Sequence, residues 1–336
     1  MVVELQDAIA AARIESDLLK DRLRLINETS SDTTLTLRRR AVLKCPNAKV
    51  YAVDWAPDSK HVLSASQDGH LIIWDALSGH KVQAVTLRMC WVMACAYAPS
   101  GNMIASGGLD NTCTIYDLRR KQSVTQIPIA GELIGHTAYV SACRFRSDRE
   151  MLTGSGDETC ALWDIQTESR IRHFTGHSGD VTSLALSPQD PNVFVSGSCD
   201  TRSIIWDVRT SRPTQIFSGH ARDVNTVDFF PDGSAMASGS DDATCRLYDL
   251  RANRELAVYA HGLDHAGVTS VAFSRSGRIL VSASEDSGAQ LWDTLLCERV
   301  GVLHGHDARV ASVRISPRGD AIATGGWDAK VVVWSG

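Results

Sequence analysis

The chain has 336 residues, which is enough for one large domain or two ordinary ones. Its 43% hydrophobic and 22% charged residues are typical of a soluble globular protein. The formal net charge is only −5 and the charged residues are scattered, which argues against nucleic-acid binding. Nine cysteines without a CxxC pair indicate reduced thiols in a cytosolic protein. We expect no membrane span, signal peptide or lipid-attachment motif, so any membrane contact would come from partners.

The first predicted element is an amphipathic helix within residues 1–33. Its apolar residues alternate in steps of four and three, which is the spacing of a heptad seam, and Ser16 is the polar exception. The apolar seam residues are Leu5, Ile9, Ala12, Leu19, Leu23 and Ile26. Because three heptads alone are marginally stable in water, the seam requires a surface to cover it. A partner helix, the rest of this chain and a homodimeric coil are the alternatives for that surface.

Residues 34–336 contain an internal repeat with a period of 42 to 47 residues. Each repeat ends in an aromatic residue, and these residues are Trp74, Tyr116, Trp163, Trp206, Tyr248, Trp292 and Trp334. Six residues before each aromatic residue stands an aspartate, and the set is Asp68, Asp110, Asp157, Asp200, Asp242, Asp286 and Asp328. A Ser or Thr stands four residues before every one of these aspartates. This period is that of a four-stranded β-propeller blade, so the seven repeats predict a seven-bladed ring.

The last repeat ends at its third predicted strand, Val331 to Trp334. We therefore expect residues 34–44, with their alternating Leu35 and Leu37, to supply the outer strand of the last blade. Such closure would remove the open sheet edges that invite aggregation. The predicted organisation is thus a heptad helix and linker over 1–33, followed by a propeller over 34–336.

A Gly-His pair precedes four of the repeats, and its histidines are His136, His177, His220 and His306. Together with the Ser or Thr, the Asp and the Trp of the same repeat, each histidine predicts a buried hydrogen-bond relay that joins three strands. The first repeat has Cys45 and Pro46 at this position, so we expect its blade to lack the histidine. For the sixth blade, His261 and His265 are alternatives.

The same residue types occur in catalytic triads, but an activated triad is a single site. Here the set recurs in successive repeats at fixed offsets, and we interpret it as structural. The histidine pairs His304/His306 and His261/His265 lack a third metal ligand, and no Gly-Lys dipeptide of a P-loop is present. We predict a protein that is not an enzyme and that has no metal site and no cofactor.

The repeat resembles the structural tetrad of the WD-repeat family over roughly residues 41–336. A short heptad helix that leads into a seven-bladed ring resembles, more narrowly, the beta subunits of heterotrimeric G proteins. The strings that carry this resemblance are residues 64–69, 91–101, 160–165 and 241–247. The expected fold class is therefore all-β, a seven-bladed WD-repeat β-propeller with an N-terminal coiled-coil α-helix.

The resemblance implies a non-catalytic signalling subunit that forms a constitutive dimer with a lipidated gamma subunit through the heptad seam. It also implies binding to the GDP form of the alpha subunit and, after release, to effectors downstream of G-protein-coupled receptors. The chain would then lie in the cytoplasm, peripheral at the inner face of the plasma membrane through its partners' lipids. The alternative is a WD-repeat scaffold of another class, such as a ribosome-associated protein or a ubiquitin-ligase adaptor, which needs no coiled-coil partner.

The resemblance also assigns residues to the surface for the alpha subunit and effectors. They are Lys49, Tyr51, Trp91, Met93, Leu109, Asn111, Tyr139, Asp180, Asp223, Asn225, Asp241 and Trp327. Packing is the alternative role for the two tryptophans, and loop capping for Asp180 and Asp223. The pattern departs from the family at Thr182, where a Met is common, and at Asn47 and His70, which replace residues that are usually Leu and Lys.

Overall fold

The computed structural model describes residues 13, 17, 37–45, 48–120, 127–261, 266–286 and 288–336. Within these ranges the strands form seven four-stranded antiparallel sheets. The predicted seven-bladed β-propeller is therefore confirmed. The apolar seam of the N-terminal helix lies outside the described residues, as do Asn47 and His265. Arg13 and Asp17 of the N-terminal segment are described, and both are helical.

The strands follow the repeats in chain order, beginning with β1 (Arg38–Lys44). Blade 1 contains β2 (Val50–Trp55), β3 (His61–Ser66), β4 (His70–Asp75) and β5 (Lys81–Thr86). Blade 2 contains β6 (Val92–Tyr97), β7 (Met103–Gly108), β8 (Thr112–Asp117) and β9 (Ile129–Ile134). Blade 3 contains β10 (Val140–Phe145), β11 (Glu150–Ser155), β12 (Thr159–Asp164) and β13 (Ser169–Thr175). Blade 4 contains β14 (Val181–Leu186), β15 (Val193–Ser198), β16 (Arg202–Asp207) and β17 (Arg212–Ser218).

The remaining three blades follow the same order of strands from the centre of the ring outward. Blade 5 contains β18 (Val224–Phe229), β19 (Ala235–Ser240), β20 (Thr244–Asp249) and β21 (Arg254–Ala260). Blade 6 contains β22 (Val268–Phe273), β23 (Ile279–Ser284), β24 (Gly288–Asp293) and β25 (Glu298–His304). Blade 7 contains β26 (Val310–Ile315), β27 (Ala321–Gly326), β28 (Lys330–Ser335) and, as its outer strand, β1.

Burial follows the position of a strand within its blade. The second strand of blade 5, β19, is buried at all six of its residues, whereas the outer strand β13 is exposed except at Phe174. Since neighbouring blades pack face to face, the inner strands have no solvent side and take small or apolar residues on both faces. The outer strands keep polar residues because they form the rim of the ring.

The ring is closed by the pairing of β1 with β28. The register places Ala41 opposite Val333 and Leu43 opposite Val331. Leu43 is buried and packs in one core cluster with both valines. The first described strand thus completes the last blade, and β28 does not present an unpaired edge.

The hydrogen-bond relay within a blade is complete in blade 4. His177 donates from Nδ1 to the Asp200 carboxylate at 2.8 Å, and its Nε2 lies 2.6 Å from the hydroxyl of Ser196. Trp206 donates to the same hydroxyl at 2.8 Å. Because an ionised carboxylate only accepts hydrogen bonds, the Nδ1 atom carries the proton. The relay ties the connection that leads into the inner strand to the second and third strands of the blade and to the turn between them.

Equivalent bonds join His136 to Asp157 and Thr153 in blade 3, His220 to Asp242 and Ser238 in blade 5, and His306 to Asp328 and Thr324 in blade 7. Burial alone would raise the pKa of Asp242, but hydrogen bonds from Thr244 and His220 outweigh it and lower this pKa to about 2. The ionised carboxylate is therefore part of the folded structure.

Two blades complete the relay differently. In blade 1 the sulfur of Cys45 lies 3.9 Å from the Ser64 hydroxyl, which accepts a hydrogen bond from Trp74 at 2.9 Å. In blade 6 it is His261 whose Nε2 lies 2.7 Å from the Ser282 hydroxyl. The Nδ1 atom of His261 is buried and has no hydrogen-bond partner among the described residues. The sixth relay is therefore only half formed.

Candidate protein-interaction surface

One face of the ring carries the turns between the second and third strands of each blade and the connections that lead into each inner strand. We call it the upper face. Five of the predicted surface residues directly precede inner strands: Lys49, Trp91, Tyr139, Asp180 and Asp223. Three are the second residues of inner strands: Tyr51, Met93 and Asn225. Four lie in the turns: Leu109, Asn111, Asp241 and Trp327. The topology thus brings all twelve to the upper face.

Backbone hydrogen bonds hold the two kinds of connection together. The N–H of Asp241 donates to the carbonyl of Asp223 at 3.0 Å, and the N–H of Leu109 donates to the carbonyl of Trp91 at 3.4 Å. In blade 7 the N–H of Trp327 donates to the carbonyl of Arg309 at 2.9 Å. Residues far apart in the chain are therefore held as fixed neighbours by the sheet.

Tyr51, Trp91 and Trp327 form an aromatic cluster that spans blades 1, 2 and 7. The Tyr51 ring meets Trp327 edge-on at 5.9 Å between centroids and lies 6.3 Å from Trp91. The Lys49 ammonium lies 4.0 Å from the centre of the Trp327 ring, and the Arg309 guanidinium lies 5.0 Å from it. Both cations are within the range of a cation–π contact.

Trp91 is exposed to solvent and has an unusual backbone conformation. Its side chain is 45% exposed and its φ angle is +67°, in the left-handed region that bulky residues rarely adopt. The neighbouring Leu109 is 49% exposed and Met89 is 56% exposed. Three large apolar side chains of blade 2 therefore face solvent together, which is typical of an interaction site and not of packing.

Blades 4 and 5 carry an acidic region on the same face as the aromatic cluster. The hydroxyl of Tyr139 donates to the Asp180 carboxylate at 2.7 Å, and burial and that carboxylate raise the pKa of the Tyr139 hydroxyl. The amide of Asn225 donates to Asp241 at 2.5 Å and to the Val268 carbonyl at 2.9 Å. The upper face is thus aromatic and cationic on one side and carboxylate-rich on the other.

Polar side chains at the second residue of the inner strand join blades 3 to 7 in succession around the central channel. Ser141 donates to the Val181 carbonyl, and Thr182 donates to the Val224 carbonyl at 2.5 Å. Asn225 and Thr269 donate likewise to the blade that follows each of them. The same position holds Tyr51 in blade 1 and Met93 in blade 2. Thr182, a departure from the family pattern, therefore links blades 4 and 5.

Sequence reasoning missed two residues of this surface. Arg309 directly precedes β26 as Lys49 precedes β2, and the repeat offset was the signal that could have found it. Met89 lies two residues before Trp91 in an irregular connection, and no local pattern marks it as exposed.

His70, at the start of β4, lies 3.2 Å from the Asp68 carboxylate. Within the described ranges, no cluster of three His, Cys, Asp or Glu side chains could hold a metal ion, and no helix there has the length and apolarity to span a membrane.

The sequence matches the family model for the G protein beta WD-40 repeat protein over residues 4–335. The chain belongs to this family. It is 49% identical over 301 residues to guanine nucleotide-binding protein subunit beta-5b of Danio rerio, which covers 89% of this chain and 76% of that protein. It is 47% identical over 336 residues to guanine nucleotide-binding protein G(I)/G(S)/G(T) subunit beta-1 of Homarus americanus, which covers 96% of this chain and 98% of that protein.

These similarities make the chain a G-protein beta signalling subunit, and they do not favour a scaffold of another class. The family is one of non-enzymatic scaffold subunits. This agrees with the structure of the blades. There the recurring His, Ser or Thr, and Asp side chains form hydrogen bonds with one another and so have a structural role.

Proposed function

We propose that the upper face binds the GDP-bound alpha subunit of a heterotrimeric G protein and engages effectors once alpha has left. The observation that carries this proposal is the aromatic cluster, in which Trp91 is nearly half exposed on a left-handed backbone. Exposed aromatic residues flanked by cations are typical of the centre of a binding surface. The acidic region around Asp180, Asp223 and Asp241 then supplies a polar border that selects the partner by charge.

The test is capture by immobilised alpha subunit in its GDP form. Because loss of a central aromatic residue typically removes 2 kcal/mol or more of binding energy, Trp91→Ala is expected to weaken capture roughly 30-fold. Leu77→Ala is the matched control, since Leu77 is 56% exposed but lies between β4 and β5, at the opposite face. If Trp91→Ala binds alpha-GDP as tightly as the unmodified chain, the assignment of this surface is wrong.

We further propose that the heptad seam pairs with the helix of a gamma subunit and that the pair is constitutive. Support comes from Asp17, which accepts a hydrogen bond from Arg254 of β21 at 2.9 Å. Arg254 also lies 3.5 Å from the carbonyl of Arg13. Arg13 and Asp17 are four residues apart and each follows a seam position, so this contact with the propeller does not use the seam.

Co-purification with a candidate gamma subunit tests this pairing. Full-length chain is expected to yield a one-to-one dimer, and a chain that lacks residues 1–33 is expected to remain alone. Equal recovery of gamma with both chains would place the gamma site on the propeller instead. The chain would be peripheral at the inner face of the plasma membrane through its partners' lipids, so removal of the gamma lipid site should release the dimer from membranes.

A further inference from the structure

Blade 2 lacks the histidine that completes the relay in other blades. In blades 3, 4, 5 and 7 this histidine stands four residues before the inner strand, as His136 stands before Val140. Its ring fills the space between the aspartate of the turn and the hydroxyl of the second strand, with one nitrogen bonded to each. The residue four positions before β6 is Arg88.

Arg88 does not fill the space that the imidazole takes elsewhere. Its guanidinium pairs with the Glu132 carboxylate at 2.8 Å, and its side chain is 76% exposed. A cavity of about 220 Å³ remains within the blade. Since one water molecule takes about 30 Å³ of liquid, this volume exceeds a gap left by imperfect packing.

The lining of the cavity keeps the groups that hold an imidazole in the other blades. Ser106 takes the place of Thr153, and Asp110 takes that of Asp157. Tyr116 replaces the tryptophan, and its hydroxyl lies within hydrogen-bonding reach of Ser106. Ser106 is buried, with 5% of its surface exposed. The buried Ser106 hydroxyl and the exposed Asp110 carboxylate, which also accepts a hydrogen bond from the N–H of Thr112, therefore line this cavity.

Access to the cavity is from the upper face. Two of its lining residues, Met89 and Cys90, are exposed. Glu132 adds a second carboxylate at the wall, although Arg88 pairs with it. The site is thus open to solvent, is lined by the carboxylates of Asp110 and Glu132, and lies where an imidazole ring lies in four other blades.

We propose that this cavity binds a compact planar nitrogen heterocycle whose two ring nitrogens stand in a 1,3 relation, as in imidazole. One nitrogen donates to the Asp110 carboxylate and the other accepts from the Ser106 hydroxyl, as His136 bonds to Asp157 and Thr153. This ligand site is separate from the proposed alpha-subunit function. It depends only on the comparison of blade 2 with its neighbours.

Imidazole is the first probe, titrated into the full-length chain and followed by ligand-observed NMR and thermal unfolding. Saturable binding to the unmodified chain is expected. Arg88→His should fill the cavity from within, weaken imidazole binding roughly tenfold or more and raise the melting temperature. Arg88→Ala is the matched control, because it breaks the exposed pair with Glu132 but leaves the cavity empty, so binding should persist within about twofold.

Ser106→Ala provides a second variant that does not depend on how Arg88→His folds. It removes one of the two ring contacts and should weaken imidazole binding roughly tenfold. Absence of saturable binding, or equal binding to the unmodified chain and Arg88→His, would overturn the proposal and indicate that the cavity holds only water.

A capped histidine, N-acetylhistidine methylamide, distinguishes a histidine side chain of another protein from a small-molecule ligand. If the capped histidine binds as imidazole does, the cavity accepts a side chain of a docked protein. If only free imidazole binds, the cavity accepts a small molecule.

Discussion

Two half-buried aspartates connect neighbouring blades through backbone hydrogen bonds. Asp228 of blade 5 accepts from the N–H of Phe273 in blade 6 at 3.0 Å, and Asp54 of blade 1 accepts from Tyr97 in blade 2 at 2.8 Å. Burial raises the pKa of Asp228 to about 6, although the backbone bond and Arg144 act in the opposite direction. Burial raises the pKa of Asp54 as well. Each carboxylate links two blades and is destabilising when ionised.

The sign of the pH effect follows from this raised pKa. Folded Asp228 keeps its proton to about pH 6, whereas the unfolded residue loses it near the ordinary aspartate pKa of 3.8. The contribution of this residue to stability therefore falls as the pH rises from about 4 to 6. Asp228→Asn keeps an acceptor for Phe273 without the charge, so we expect it to stabilise the fold at pH 7.5 by roughly 2 kcal/mol.

Urea unfolding at pH 7.5 and pH 4 measures this effect. The advantage of Asp228→Asn should shrink towards zero at pH 4, where the native carboxyl is protonated. Asp228→Ala is the control, because it removes the acceptor and should be destabilising at both pH values. An Asp228→Asn variant that is less stable at pH 7.5 would show that the charge itself holds the two blades together.

The complete relay of blade 4 and the half-formed relay of blade 6 should differ in strength. His177 bonds at both ring nitrogens, while His261 bonds at Nε2 only among the described residues. We expect His177→Ala to lower the free energy of unfolding by about 3 kcal/mol and His261→Ala by about half as much. Chemical denaturation at pH 7.5 provides the comparison, and equal losses would contradict it.

The His261→Ala variant should also differ from the unmodified chain in its pH dependence. Burial, with the nearby charge of Arg299, lowers the pKa of His261 to about 4. The unfolded histidine binds a proton near pH 6.5, so the unmodified chain loses stability as the pH falls from about 6.5 to 4. His261→Ala should flatten this decline, which denaturation at pH 5 and pH 7.5 would reveal.

At the scale of elements, the second residue of the inner strand has one of two roles in blades 1 to 6. In blades 3 to 6 it donates a hydrogen bond to the next blade, whereas Tyr51 and Met93 of blades 1 and 2 belong to the proposed alpha-binding surface. Thr182 is one of the residues that donate a hydrogen bond to the next blade. We expect Thr182→Met to remove the bond to Val224, lower the free energy of unfolding by about 1 kcal/mol and strengthen capture of alpha-GDP.

Thr182→Val separates the two effects because it removes the hydroxyl while nearly keeping the shape. It should lose the same stability and leave capture of alpha-GDP close to that of the unmodified chain. Unfolding curves and capture are measured on the same preparations. If Thr182→Met captures alpha more weakly than Thr182→Val, the added apolar chain does not reach the partner.

The repeat made the blades predictable because its offsets are local. Asp200, Ser196 and Trp206 lie within one strand-turn-strand unit, so their spacing directly reflects the geometry of that unit. The turns of these units and the connections into the inner strands share one face, so the topology of the repeat also places the surface residues there. Contacts between blades were not predictable, because the Thr182–Val224 bond and the edge-on contact of Tyr51 with Trp327 join residues of different blades. The blade-2 cavity was missed since it depends on where the Arg88 side chain points.

At the scale of the whole molecule, stability depends on closing the ring. An open ring would expose the edge of β28 and uncover the blade-7 and blade-1 cores that share one hydrophobic cluster. Leu43 of β1 is buried in that cluster beside Val331 and Val333. The strand that comes first in the described propeller therefore completes its last blade, and a folding ring cannot close before both ends are present.

Two truncations test this dependence. Removal of residues 1–33 keeps β1 and, among the described contacts, takes away only those of Arg254 with Asp17 and with the carbonyl of Arg13, so the propeller should still unfold cooperatively. Removal of residues 1–44 deletes the outer strand and Leu43, and leaves β28 as an open edge. We expect that chain to aggregate on size-exclusion chromatography and to lose its cooperative thermal transition. A monomeric 45–336 chain with the melting temperature of the 34–336 chain would show that six blades and three strands suffice. Stability would then be local to each blade, and the pairing of β1 would add only a few hydrogen bonds.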